Sequence, residues 1–119
     1  MQHDPGSAAE WLRHARSDLA LARQPIIGDV MLEGLCFHAQ QAVEKSIKAV
    51  LIGAGIPFPK VHSIERLIDL LPPEIPPTPE LLASAALTAY ATTFRYPGLE
   101  EPVSRERYQE ALRLAEAVV

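Results

Sequence analysis

Cys36-Phe-His-Ala-Gln-Gln-Ala-Val-Glu-Lys-Ser-Ile-Lys-Ala-Val-Leu51 is the stretch on which the fold turns. At about 100° per residue around a helix, Leu35, Cys36, Ala39, Ala42, Val43, Ile47, Ala49 and Val50 fall in one broad apolar arc. The remaining arc holds His38, Gln40, Gln41, Glu44, Lys45 and Lys48, which is more polar chemistry than a packing helix needs. Phe37 projects from the middle of that polar arc. A monomer would leave its ring in water, so the expectation is a second chain or a ligand against Phe37, the candidate dimer contact.

Outward from this stretch, Asp29 is an N-cap candidate and the helical pattern runs from about Val30 to about Gly53, a length of about 35 Å that suits the central helix of a domain. Gly53 through Pro59 ends it, with glycine at the terminus and proline preventing resumption. Upstream, Ser7-Ala-Ala-Glu10 has capping-box spacing. A first helix follows, with Trp11, Leu12, Ala15, Leu19 and Ala22 at helical intervals until Pro25 and Gly28. Downstream, Ser63 caps a short third helix carrying Ile64, Leu67, Ile68 and Leu71. Pro72, Pro73, Pro76 and Pro77 form a stiff connector rather than a domain linker, because neither flank is long enough to fold alone. Thr78-Pro79 starts a fourth helix expected over 79–93, which cannot pass Pro97. Ser104 caps a fifth, whose Tyr108, Ala111, Leu112, Ala115 and Val118 face the core. No segment alternates as a strand would and no internal repeat is present. The pattern predicts one all-α domain over 1–119, with 1–6 flexible.

Composition agrees with a single domain: 119 residues, 48% hydrophobic, few aromatics and a formal net charge of −4. The apolar runs are too short to span a bilayer and the N-terminus lacks the pattern of a secretory signal, so a cytoplasmic, non-membrane protein is expected. Cys36 is the only cysteine, which precludes an internal disulfide and argues against a thiolate zinc site. The acidic balance argues against broad nucleic-acid binding through many phosphate contacts. All three lysines, Lys45, Lys48 and Lys60, nevertheless fall in one short stretch with His62 and near Arg66, a local cationic patch.

Two constellations carry candidate chemistry. His38, Gln41, Lys45 and Lys48 lie at spacings of three, four and three, along one helix face suited to a phosphate or sugar. The bland alternative is a solvated outer face, with Glu44 and Lys48 as an i,i+4 pair. Arg95-Tyr96-Pro97 presents a planar cation beside an aromatic face, suited to phosphate or base recognition. In the alternative, Arg95 complements a helix terminus and Tyr96 plugs the bundle end. His62 joins a site or caps the third helix. His38 and His62 have no third ligand at diagnostic spacing, so no metal is expected. No cofactor motif is present.

Phe37-His-Ala-Gln-Gln-Ala-Val-Glu-Lys45, the His62-Ser-Ile loop and Arg95-Tyr-Pro-Gly98 together resemble the HEPN domain family of small prokaryotic proteins, from about Ala8 to Val119. The resemblance implies an up-and-down four-helix core with an additional short helix, five helices in all. It also implies a homodimer and a minimal nucleotidyltransferase as partner, in some cases within a toxin–antitoxin pair. Catalytic members resemble one another in an arginine followed, after four to six residues, by a histidine. This sequence lacks that pair: Glu100, Glu101 and Pro102 occupy the corresponding positions after Arg95. The expectation is a non-catalytic subunit that binds a nucleotide or substrate through His38, Gln41, Lys45, Lys48, His62, Arg95 and Tyr96. One alternative is a metal-independent RNase using His38 as base and Arg95 as cation. Another is a purely structural dimerisation module.

Overall fold

A computed structural model describes residues 6–25, 28–29, 31–90 and 104–119. Among these the chain is helical, with α1 at Ala8–Ala22, α2 at Leu32–Gly53, α3 at Ile64–Ile68, α4 at Pro79–Ala83 and α5 at Arg105–Val118. A 3-10 segment, Ser84–Ala89, continues from α4.

The starts of four helices follow from their caps. Ser7, Ser63, Thr78 and Ser104 each accept, through the side-chain oxygen, an amide N–H three residues on: Glu10 at 3.1 Å, Arg66 at 3.3 Å, Leu81 at 3.1 Å and Arg107 at 3.1 Å. Each bond satisfies one of the donors that a helix start leaves open. The start of α2 departs from expectation: it begins at Leu32, and Met31 stands at the cap position without a side-chain bond, so Asp29 does not cap it. The end of α2 is a Schellman turn. Gly55 N–H donates to the Ile52 carbonyl at 3.0 Å and Ile56 N–H to the Leu51 carbonyl at 2.9 Å. Gly55 adopts φ +73°, the left-handed conformation this turn requires.

The fourth helix also departs from the expected uninterrupted α-helix. Ser84 Oγ donates to the Leu81 carbonyl at 2.6 Å, and the backbone there tightens into 3-10 geometry. A serine hydroxyl bonded to the preceding turn competes with the helical ladder in this way. The last part of the expected helix, 91–93, lies outside the described residues.

α1 and α2 run antiparallel, as three cross-contacts establish. Ala8 lies beside Gly53, Trp11 beside Lys48, and Asp18 beside Lys45 and His38. α2 is the central element, packed against α1, α3, the 3-10 segment and α5. Leu35, Cys36, Ala39, Val43, Ile47 and Leu51 from α2 form the core with Leu19 and Ala22 of α1, Ile64 and Leu67 of α3, Leu87 of the 3-10 segment, and Tyr108, Ala111 and Leu114 of α5. Tyr108 buries its hydroxyl by donating to the Ala22 carbonyl at 2.6 Å, which supplies the partner a phenol needs in such a core. α4 buries none of its residues, which makes it the peripheral element.

Candidate functional site

Because α2 is covered on so many sides, only part of its polar arc meets solvent. Gln40, Glu44 and Lys48 are buried along with the apolar arc, while Val50, expected in the core, is exposed. Charge taken out of water must be paired and hydrogen-bonded, and the arc is organised around two carboxylates accordingly.

The first is Asp18 of α1, a buried acid on the same face as Ala15, Leu19 and Ala22. Lys45 Nζ donates to its Oδ2 at 2.7 Å, and His38 Nδ1 lies 3.0 Å from its Oδ1. A carboxylate only accepts, so Nδ1 carries a proton, and in the neutral tautomer this leaves Nε2 as an acceptor. Phe37, half-buried, sets its ring edge-on to the His38 ring, with centroids 5.5 Å apart at 72°.

The second is Glu44, whose side chain is 3% exposed. It accepts from Lys48 Nζ at 2.9 Å and Gln40 Nε2 at 2.9 Å, and meets His62 Nδ1 at 3.0 Å. Gln40, Glu44 and Lys48 are successive i,i+4 neighbours, so their side chains stack along one line of the helix. Gln40 also donates to the His62 carbonyl at 3.3 Å, tying the α2–α3 loop to the helix. Gln41 donates to Gln40 Oε1 at 2.7 Å and completes the chain of bonds.

Trp11 separates two surface grooves. On one side Gly6, Glu10, Trp11, His14 and Lys45 enclose about 290 Å³. On the other, a groove of about 810 Å³ is walled by Trp11, Ile52, Ile56 and Phe58 and edged by Lys48, Lys60 and His62. Trp11 and Phe58 meet edge to face at 6.1 Å. Lys48 Nζ lies 5.4 Å and 5.6 Å from their ring centroids, within cation–π range of both.

The residues singled out from sequence thus divide. His38 and Lys45 meet on Asp18, Lys48 and His62 meet on Glu44, and Gln41 joins the second group through Gln40. Arg95 and Tyr96 lie outside the described residues, so the expected juxtaposition of α2 with Arg95 is not described. Asp18, Gln40, Trp11 and Phe58 were absent from the expected set. Asp18 carried a readable signal, since an acid in the middle of an apolar helical stripe needs a partner; the placement of Phe58 depends on the path of the loop and carried none. Among the described residues no three of His, Cys, Asp or Glu come together as metal ligands would, and no helix is long and apolar enough to cross a membrane.

The HEPN domain matches residues 8–119. The crystal structure of TT1696 from Thermus thermophilus is similar over 93% of this chain and 91% of that one, at 30% identity and a TM-score of 0.76. A comparison with curated proteins returns no match.

Proposed function

Since the chain belongs to the HEPN domain family, we propose that it is a homodimeric, non-catalytic subunit that works in the cytoplasm beside a minimal nucleotidyltransferase and holds its nucleotide or substrate. A place in a toxin–antitoxin pair fits the same role. The observation that carries the reading is the fixing of His38 and Lys45 on the single carboxylate of Asp18. Lys45 keeps 24% of its side chain exposed and His38 34%. A cation held in place at the surface needs no further ordering to meet a phosphate, and the accepting Nε2 of His38 suits a hydroxyl of the ligand. Gln41 stands between them on α2 as an orienting amide. In this reading Arg95 and Tyr96 add a second phosphate contact and a stacking surface.

The test is thermal. A bound nucleotide at about 100 times its Kd stabilises the native state by about 2.7 kcal/mol, a rise in melting temperature on the order of 10 °C for a domain of this size. AMP, ATP or a short RNA is expected to produce such a rise, and Lys45→Ala and Arg95→Ala to abolish it. No shift with any of the three, together with silent variants in the partner complex, would remove the reading.

One observation favours a second reading, the metal-independent RNase. Asp18 orients His38 as a general base is oriented, with Nε2 left to take a proton from a ribose 2′-hydroxyl. That reading expects cleavage of RNA but not DNA by the isolated chain, undiminished in EDTA and lost in His38→Ala. An inert isolated chain leaves the first reading in place.

A further inference from the structure

The larger groove beside Trp11 offers an apolar wall and a charge of one sign. Trp11, Ile52, Ile56, Pro57 and Phe58 line it, and its volume of about 810 Å³ falls within the range of small-molecule sites, about 300–1,000 Å³. Its charged lining consists of Lys48, Lys60 and His62, with no carboxylate, on a chain whose net charge is −4. Lys48 is already neutralised by Glu44, and His62 turns Nδ1 to the same carboxylate. Lys60 is exposed and makes no ion pair among the described residues, so it is the uncompensated cation of the groove.

The lip is pre-formed. The Schellman turn at Gly55 and the two prolines Pro57 and Pro59 fix the loop that carries Phe58 and Lys60, which lowers the entropy that binding has to overcome. The composition of the wall also discriminates between ligands. A nucleobase carries several polar edge groups, and each one turned against this wall would be left without a partner, a cost of about 1–3 kcal/mol. An apolar body with one anionic group leaves none.

We propose that this groove binds a small amphiphilic anion, its apolar body against Trp11, Ile52, Ile56 and Phe58 and its carboxylate or phosphate head at Lys60. The site is separate from the Asp18 cluster and does not depend on the nucleotide reading.

Trp11 is the only tryptophan in the chain, so its emission reports directly on the wall of the groove. The full chain is titrated with octanoate, octyl phosphate, 1-octanol and AMP. Octanoate or octyl phosphate is expected to change the emission saturably, and the tighter of the two identifies the head group. The uncharged 1-octanol should bind more weakly than that anion. Lys60→Glu, at an exposed position, should keep the melting temperature and weaken the anion about fivefold or more; Ile56→Asp, which acts on the wall instead of the head, should weaken it independently. Four results would overturn the proposal: no saturable change with either anion, an affinity indifferent to Lys60→Glu, an AMP response equal to that of the anions, or a ligand-free emission that shifts with protein concentration as a second copy covers the groove.

Discussion

Glu44 is the residue on which the inner half of the polar arc depends. Its two oxygens serve Gln40, Lys48 and His62, and Lys48 is only 8% exposed. Glu44→Gln leaves that ammonium buried without its counter-charge, so a loss of about 3–5 kcal/mol is expected in urea unfolding. Glu44→Met with Lys48→Met removes both charges and is expected to recover most of it, because apolar side chains of similar size often replace a buried pair at little cost. A single variant within about 1 kcal/mol of wild type would show that water already reaches the pair. Cys36 gives a second expectation, in pH. Burial pushes its thiol from the ordinary 9.0 up to about 11. The unfolded chain therefore ionises first, so this contribution is complete below about pH 9 and is lost as pH rises towards 11, by about 2–3 kcal/mol in total. Burial also raises Tyr90 and Tyr108, which add to the same alkaline loss. Urea unfolding between pH 8 and 11 checks it: Cys36→Ala should flatten the slope, and a slope identical to wild type would assign the loss to the tyrosines alone.

At the scale of elements, what could be read from sequence was whatever depends on neighbours along the chain. Ser7, Ser63, Thr78 and Ser104 cap their helices because a cap needs only an oxygen three residues before an amide, and Gly55 with Pro57 and Pro59 ends α2 for equally local reasons. The pattern failed where a tertiary contact decides. Helical periodicity separates apolar from polar residues but does not say that the polar side is dry, and Gln40, Glu44 and Lys48 are buried because α1 and the α2–α3 loop lie over them. Asp18 breaks the apolar stripe of α1 in the sequence, yet its two partners lie on another helix. The outward position of Val50 has the same origin: apolar character alone does not distinguish the covered side of a central helix from the open one. The change to 3-10 geometry at Ser84 depends on which rotamer one hydroxyl adopts, which composition does not reveal.

At the scale of the whole molecule, α1 and α2 form an antiparallel pair whose seam is polar at its centre and aromatic at one end, with α3, the 3-10 segment and α5 packed around α2. Phe37 lies near the Asp18 end of that seam, half-buried, with its ring edge-on to His38. If the proposed homodimer forms across this surface, the exposed part of the ring is its apolar contact and His38 is brought to the boundary between two copies. Covering the exposed half of the ring on each of two copies contributes about 1.5–3 kcal/mol together, enough to separate a stable pair from a dissociating one. Sedimentation of the wild-type chain is therefore expected to give twice the monomer mass. Phe37→Ser is expected to give a monomer with unchanged helical circular dichroism, while Phe37→Leu, which keeps most of the apolar area, should retain the dimer at higher concentration. A wild-type monomer would remove the homodimer, and an unchanged dimer in Phe37→Ser would move the interface to another face.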